Sequence, residues 1–270
     1  MPWRQRHHAY RLPAKNRRHL RLRLKHRKHL RTLWLTTGVV LIAAMGVWLY
    51  ASFFAERANP SAEEYPLRGI DISAHNGEID FSRLYADGVR FAYIKATEGA
   101  DFIDRRYHTN ANGLARNGIP AGAYHFFRFD RDGEMQAWNF IHALRGRNFL
   151  LPPAIDVEEW GNADDPGTKR VQKELRRMIA LMQKEGYNPI VYTNKKGYRR
   201  YVRDHFTDVP LWICSFTDPP IDSDPSVPWA LWQFSHRGSV QGISGPVDLN
   251  TIHPSHPLFA TINAASVPEN

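Results

Sequence analysis

The stretch LLPPAIDVEEWGN (Leu150–Asn162) opens with six residues that carry no charged side chain and then turns acidic. Its apolar start is typical of a buried strand, and successive side chains of a strand point to opposite faces. Asp156 and Glu158 would therefore share one face, while Val157 takes the other. Two carboxyls that face the same interior are costly to bury unless they have a function, so this strand end is the first candidate for an active site.

Outward from this stretch, short β-rich runs alternate with longer helical patterns. The predicted strands are 69–73, 90–96, 121–127, 153–158, 189–194, 210–215, 229–235 and 246–252. A helix is predicted over 168–186, where an apolar stripe is formed by Val171, Leu175, Met178, Ile179 and Met182. A second helix is predicted over 133–144, with a core-facing stripe of Met135, Trp138, Ile141 and Leu144.

The alternation of strands and helices predicts the fold class. It implies parallel βα units, and about eight of them in roughly 200 residues indicate a TIM-like (β/α) barrel of the α/β class. A doubly wound open sheet is the alternative. The sequence contains no glycine-rich phosphate-binding loop, which disfavours the nucleotide-binding forms of the open sheet.

The positive charge of the chain is concentrated at its N-terminus. Twelve of the 36 lysines and arginines lie within residues 1–31, which contain no acid, and the whole chain carries a net charge of +9. The 24 basic residues that remain face 27 acidic ones, so the chain after residue 31 has a net charge of about −3. Nucleic acid is therefore not an expected partner, because only the tail would favour it.

An uncharged segment of 24 residues, Thr32–Ala55, follows the tail. As a helix it would be about 36 Å long, enough to cross a bilayer. A cleaved signal peptide is the alternative, but its apolar region usually has only about 7–15 residues and ends in a small-x-small site, which is not evident here. The positive-inside rule makes the tail cytoplasmic, so we expect a single-pass anchor with the remaining chain in the periplasm or outside the cell.

The ends of the predicted strands carry acidic and aromatic side chains. In a barrel, the active site lies at the carboxyl ends of the strands. The candidates there are Asp71, Lys95, Glu98, Tyr124, Asp156, Glu158, Tyr192, Trp212, Gln233 and Asp248. Carboxyls among aromatic rings suit glycoside hydrolysis, in which one carboxyl protonates the leaving oxygen and aromatic faces stack on sugars. Crowding of the acids should raise at least one pKa and keep that group protonated.

Several of these residues also have a purely structural interpretation. Asp71 and Asp248, taken singly, are typical of turns or helix caps, and Lys95 could be only an ion-pair partner. His125 is interpreted as a packed, hydrogen-bonded side chain, because no second histidine lies at a metal-ligand spacing in the domain. We therefore predict no metal and no cofactor. The single cysteine, Cys214, excludes an intrachain disulfide.

The order of the segments resembles the lysozymes of glycoside hydrolase family 25, the Chalaropsis type. The segments that carry the resemblance are GIDIS, FAYIKATEG, GAYHFF, AIDVE, VYTN, LWI, LWQFS and GPVDLN, and they cover about residues 69–252. The resemblance implies a (β/α)5β3 barrel. It also implies a β-1,4-N-acetylmuramidase that cuts peptidoglycan between N-acetylmuramic acid and N-acetylglucosamine.

The same resemblance implies roles for individual residues. Glu158 would be the general acid and Asp156 its acidic partner, with Asp71 and Asp248 completing an acidic floor. The expected glycan-groove and substrate-binding residues are Tyr124, Tyr192, Trp212, Lys95, Glu98 and Gln233. Inversion through an activated water and retention assisted by the acetamido group of the substrate both remain open.

The predicted organisation has five parts. They are a basic cytoplasmic tail (1–31), a transmembrane anchor (32–55), a linker (56–67), the hydrolase barrel (68–260) and a C-terminal tail (261–270). The expected partners are peptidoglycan glycan strands and, through the anchor, the membrane. A chitinase-like hydrolase is disfavoured, because its D-x-D-x-E pattern needs an acid where Ala154 stands. A catalytically inactive glycan-binding module that ties the membrane to the wall is the alternative from another class.

Overall fold

The computed structural model describes residues 14–54, 58–162, 167–216 and 229–265. The chain divides into two compact units, with the boundary between residues 55 and 56. The described part of the first unit is one long helix, and the second unit contains the strands. Residues 1–13 of the predicted basic tail and residues 266–270 of the predicted C-terminal tail lie outside the described residues.

Helix α1 (Ala14–Phe54) has 41 residues and begins within the predicted basic tail rather than at the first apolar residue. Its stretch Arg27–Trp48 is the one helix in the described part of the chain that is long and apolar enough to cross a membrane. The hydroxyls of Thr36 and Thr37 donate to the carbonyl oxygen of Leu33, at 2.9 and 2.8 Å. These polar groups are therefore satisfied inside the helix, as an apolar environment would require.

The second unit is built on a closed barrel. Its strands are β1 (Arg68–Ile72), β2 (Phe91–Glu98), β3 (Phe102–Ile103), β4 (Ala121–Phe126), β5 (Ala154–Asp156), β6 (Ile190–Asn194), β7 (Leu211–Cys214), β8 (Trp229–Gly238) and β9 (Val247–Ile252). The order around the barrel is β1-β2-β4-β5-β6-β7-β8-β9, and β9 pairs with β1 to close it. Seven of these barrel strands, from β1 to β8 in that order, run parallel, whereas β9 is antiparallel to both of its neighbours. The short β3 lies outside this order and pairs antiparallel with the end of β2. The predicted barrel is confirmed, and closure excludes the open sheet.

The helices follow the strands in turn. A 3-10 turn (Ala74–Asn76) and α2 (Phe81–Ala86) follow β1, α3 (Tyr107–Arg116) follows β3, and α4 (Gly133–Leu144) follows β4. Helix α5 (Thr168–Lys184) follows β5, α6 (Lys195–Gly197) and a π-helix (Tyr198–Val202) follow β6, and α7 (Pro257–Ala265) follows β9. The two-residue β3 was not predicted, because its residues are too few for a pattern.

Large side chains fill the barrel interior. One buried cluster includes Phe91, Tyr93, Trp212 and Leu231, and α7 contributes Leu258 and Ile262 to it. Gly69 makes this packing possible, because a Cβ there would lie 2.4 Å from the ring of Phe91. The interior is thus packed rather than open, as in other barrels of this kind.

The helices pack on the outside of the barrel, with one departure from the prediction. The apolar stripe predicted for α5 is buried. In α4, however, Met135 and Trp138 are 58% and 37% exposed, so two of the four predicted core residues are not core. The reason is Gln136, which is fully buried. Its Oε1 accepts from the backbone N–H of Arg128 at 2.7 Å and lies 3.2 Å from Nε2 of His125, which sets the rotation of the helix.

The segment predicted as a linker packs onto the domain from residue 58 onward. Tyr65 is 9% exposed, and its ring lies 6.0 Å from Trp229 and 5.8 Å from Trp232. The backbone N–H of Ala58 donates to the carbonyl of Phe216 at 2.8 Å. Aromatic packing therefore makes this segment part of the folded unit, although its composition is typical of a linker.

Candidate active site

A cleft of about 510 Å³ lies where the parallel strands end. All ten predicted site residues line it, which brings together Asp71, Lys95, Glu98, Tyr124, Asp156, Glu158, Tyr192, Trp212, Gln233 and Asp248. Sequence reasoning did not single out its other lining residues, which are Ser73, His75, Asn76, Phe126, Trp160, Gly161, His236, Pro246 and Val247. Asp71 on β1 lies opposite Asp248 on β9, so the acidic floor combines the first and the last strand of the barrel.

Asp71 lies at the centre of a buried hydrogen-bond network. The side-chain amides of Gln233 and Asn250 donate to its Oδ2, at 2.9 and 2.7 Å. Asp248 lies directly opposite in the antiparallel pairing of β1 with β9. Since two neutral donors and a second carboxyl converge on Asp71, the network favours a negative charge at this position.

Two of the aromatic residues predicted to bind glycan belong to the same network. The Nε1–H of Trp212 donates to Oδ1 of Asn250 at 2.9 Å, and the hydroxyl of Tyr192 donates to Oε1 of Gln233 at 2.8 Å. Trp212 is 2% exposed and Tyr192 is 9% exposed, so little of either ring is open to a ligand. Their polar atoms orient the two amides, and through them the carboxyl of Asp71.

The backbone after β5 positions the other pair of acids. Val157 is fully buried, its N–H donates to the carbonyl of Tyr192 at 2.8 Å, and its own carbonyl accepts from Oγ1 of Thr193 at 2.7 Å. Asp156 and Glu158 on either side of it both line the cleft, as predicted. β5 itself ends at Asp156, so Glu158 is carried by the loop that follows rather than by the strand.

The two acids on β1 and β9 titrate as a pair. Burial raises the pKa of Asp248 to about 9, with a further contribution from repulsion by Asp71. Burial also raises the pKa of Asp71, but the hydrogen bonds from Asn250 and Gln233 oppose that effect. Of the two, Asp248 is therefore the better site for a proton and Asp71 the better site for the negative charge.

The acids at the end of β5 are also held toward the protonated form. Burial and then repulsion by Asp71 raise the pKa of Glu158 to about 7, against a lowering effect of Lys95. Burial and then repulsion by Glu158 raise the pKa of Asp156 well above its usual value. Oδ1 of Asp156 is enclosed and has no hydrogen-bond partner among the described residues. An enclosed oxygen without a donor disfavours the charged form of Asp156, in the same direction as the shift in its pKa.

Lys95 is both an ion-pair partner and a cleft residue. Its Nζ lies 2.7 Å from Oε2 of Glu98 and 5.0 Å from the ring centre of Phe126. Its side chain is only 12% exposed. The positive charge lowers the pKa of both Asp156 and Glu158, which limits the effect of burial on them.

The described residues contain no cluster of three or more histidine, cysteine or acidic groups with the geometry of a metal site. His125 is fully buried, its Nδ1 lies 2.8 Å from the hydroxyl of Thr97, and burial lowers its pKa to about 3. It is a packed, hydrogen-bonded histidine, as predicted. Burial likewise raises the pKa of the Cys214 thiol to about 12, so the thiol stays protonated.

The loop after β5 contains residues that sequence reasoning missed. Asn162 donates through Nδ2 to the carbonyls of Glu158 and Phe127, at 2.8 and 3.1 Å. Glu159 in the same loop accepts from Arg200 at 2.6 Å. In the sequence, only the pair Gly161 and Asn162, which is typical of a turn, indicated that a structured loop follows Glu158.

Comparison with known proteins identifies the family of this chain. The family model of glycosyl hydrolases family 25 matches residues 70–243. Lysozyme M1 of Streptomyces globisporus is 30% identical over 74% of this chain and 72% of its own, and the uncharacterised protein YegX of Escherichia coli K12 is 29% identical over 87% and 94%. The structure of a family 25 glycosyl hydrolase from Bacillus anthracis aligns with a TM-score of 0.66 and 33% identity, over 73% of this chain and 93% of that one.

Proposed function

Since the chain belongs to glycosyl hydrolases family 25, it is a glycoside hydrolase of the muramidase class, and we propose that it cuts the β-1,4 bond between N-acetylmuramic acid and N-acetylglucosamine in peptidoglycan. The observation that carries this proposal is the convergence of four carboxyls on one cleft. Glycoside hydrolysis needs a protonated carboxyl for the leaving oxygen and negative charge near the anomeric carbon.

Glu158 is the proposed general acid. Its pKa of about 7 leaves a large protonated fraction at neutral pH, and the group can still release its proton during the reaction. Asp71 supplies the fixed negative charge that stabilises the oxocarbenium-like transition state. Trp212 and Tyr192 keep that charge in position through the amides of Asn250 and Gln233.

The protonation pattern favours retention assisted by the acetamido group of the substrate. Inversion requires a carboxylate that is free to take a proton from water. The pKa values of Asp156 and Asp248 are raised, which disfavours the charged form of both, and Oδ2 of Asp71 already accepts two amide hydrogen bonds. The acetamido oxygen would then attack the anomeric carbon while Glu158 protonates the leaving oxygen. Glu158, now charged, would activate the water that completes hydrolysis.

We extend the proposal to the organisation of the chain. Five βα units followed by β7, β8 and β9 support a (β/α)5β3 arrangement of the barrel. Helix α1 supports a single-pass membrane anchor with the N-terminus in the cytoplasm and the barrel on the wall side. The enzyme would then act on peptidoglycan beside the membrane in which it is anchored.

The test is to incubate the full chain in detergent micelles with purified peptidoglycan and to identify the released fragments by mass spectrometry. We expect muropeptides with N-acetylmuramic acid at the new reducing end. Glu158→Gln should reduce their release at least a hundredfold, the size expected for loss of a general acid. Glu185→Gln is the matched control, because Glu185 is exposed just after α5 and does not line the cleft.

Two outcomes would overturn the proposal. Fragments with N-acetylglucosamine at the new reducing end would assign a different bond. Binding of peptidoglycan without release of any fragment would favour the inactive glycan-binding module that ties the membrane to the wall.

A further inference from the structure

Trp160 is the most exposed large apolar side chain that the structure describes in the barrel unit. It is 78% exposed and lines the cleft two residues after Glu158. By contrast, Trp212 and Trp232 are 2% and 0% exposed. An indole left in water at the rim of a binding cleft is unfavourable for folding alone, and exposed aromatic side chains of this kind commonly mark binding sites.

The chain holds Trp160 at the tip of a tight turn. The N–H of Asn162 donates to the carbonyl of Glu159 at 3.2 Å, which closes a β-turn with Trp160 and Gly161 at its centre. Gly161 has a φ of +76°, the backbone conformation that a type II turn requires at its third residue.

Both flanks of the turn are fixed. Oδ1 of Asn162 accepts from the N–H of Phe129 at 2.9 Å, and Arg128 donates to the carbonyl of Gly161 at 2.5 Å. On the other side, Glu159 is bound by Arg200 at 2.6 Å and by Lys196. No hydrogen bond or ring contact to Trp160 itself is found among the described residues. The loop therefore presents a pre-organised aromatic face that remains open.

The burial of Trp212 and Tyr192 makes the open ring of Trp160 more important for binding a glycan. A glycan strand is amphipathic, and its pyranose rings need apolar faces to stack on as well as hydrogen-bond partners. Trp212 and Tyr192 offer little ring surface, because they are packed and their polar atoms orient Asp71. An open aromatic face beside Glu158 is available at Trp160.

We propose that Trp160 is a substrate-binding residue that stacks on a pyranose ring of the glycan strand in the cleft, close to Glu158. This inference rests on the proposed function, since it takes the glycan as the ligand. Stacking requires no change in the protonation or position of the acids. Loss of the ring should therefore weaken binding and leave the chemical step almost unchanged.

The binding test uses the full chain in detergent micelles with Glu158→Gln, so that no turnover occurs. Titration calorimetry with a peptide-free tetrasaccharide of alternating N-acetylglucosamine and N-acetylmuramic acid gives Kd. Trp160→Ala should raise Kd about tenfold and Trp160→Phe about threefold, the range of one aromatic contact. Trp138→Ala is the control, because Trp138 is a half-exposed tryptophan of α4 that does not line the cleft.

The kinetic test uses the same substitutions with Glu158 intact and measures fragment release from peptidoglycan. We expect Trp160→Ala to raise KM about tenfold with kcat within about twofold of wild type. An unchanged Kd, or a fall in kcat at constant KM, would overturn the inference and assign Trp160 to the structure of the loop. If wild type releases no fragments, the proposed function fails, whereas the calorimetry still decides whether Trp160 binds glycan.

Discussion

Glu158→Gln is expected to stabilise the fold as well as to remove activity. Glutamine has nearly the shape of a protonated glutamate but cannot ionise. Glu158 is partly buried near Asp71, and the two carboxyls repel each other when both are charged. The wild-type fold must therefore either keep a proton on Glu158 or accept a buried charge, and glutamine avoids both.

The size of the expected stabilisation follows from the pKa of Glu158, which burial and then repulsion by Asp71 raise from 4.5 to about 7. Below pH 4.5 the group is protonated in the folded and in the unfolded chain, so it does not affect the free energy of unfolding. Between pH 4.5 and 7 the unfolded chain loses the proton first, and stability falls as pH rises. At about 1.4 kcal/mol per pKa unit, the loss above pH 7 is about 3 kcal/mol.

The assay is thermal unfolding at pH 4 and pH 8, followed by near-UV circular dichroism of the buried tryptophans. At pH 8 the variant should unfold about 6–12 °C above wild type, the range that about 3 kcal/mol gives for a domain of this size. At pH 4 the two should coincide, and Glu185→Gln should match wild type at both pH values. A variant that is less stable at pH 8, or equally stabilised at both pH values, would refute the reasoning.

Other predictions concern the chemistry and the packing. The rate of fragment release should fall about tenfold per pH unit well above the pKa of Glu158, because the acid must be protonated. Measurement of kcat/KM from pH 5 to 9 checks this prediction. A rate that rises above pH 7 would exclude Glu158 as the acid. Asn162→Ala should lower kcat about tenfold and stability by about 1–3 kcal/mol, because the carbonyls of Phe127 and Glu158 lose their donor. Steady-state kinetics measure the first effect and urea unfolding the second. An unchanged kcat would contradict a role of Asn162 in positioning Glu158. The first product detected by proton NMR should be the β-anomer, as retention requires, whereas the α-anomer would indicate inversion. Gly69→Ala should destabilise the fold by about 1–3 kcal/mol, because the Cβ of the new alanine meets the ring of Phe91. Urea unfolding should show that adding Phe91→Leu restores part of the lost stability. If no stability is restored, the strain lies elsewhere.

The eight barrel strands could be predicted because each combines a β-rich run with a turn signal at its start. The same rules failed where a tertiary contact decided the outcome. Gln136 is polar and would be assigned to the surface of α4, yet its amide binds backbone groups beneath the helix and turns Met135 and Trp138 toward solvent. Likewise, the linker prediction relied on composition, whereas the packing of Tyr65 on two tryptophans depends on residues far along the chain.

The location of the candidate site could be predicted from the sequence, but the roles of its residues could not. Polar residues at strand ends converge in any barrel, so the ten lining residues follow from the strand assignment. What each residue does depends on hydrogen bonds that link distant strands. Trp212 is 38 residues from Asn250 in the sequence, and no local pattern reveals that its indole supports an amide rather than a sugar. Trp160 was missed because a single aromatic residue in a loop has no periodicity.

The hydrogen-bond network explains how four crowded carboxyls can have different roles. Without Gln233 and Asn250, Asp71 would lose the donors that stabilise its charge, and the pair of Asp71 with Asp248 would have no fixed site for its proton. The pKa of Glu158 depends in turn on a charged Asp71, since that charge helps to keep Glu158 protonated. The buried aromatic residues Trp212 and Tyr192, which hold the two amides, therefore control an acid that they do not contact through any hydrogen bond described here. Replacement of Trp212 by phenylalanine should for this reason lower the pH at which activity is lost, even though the ring is scarcely exposed to the substrate.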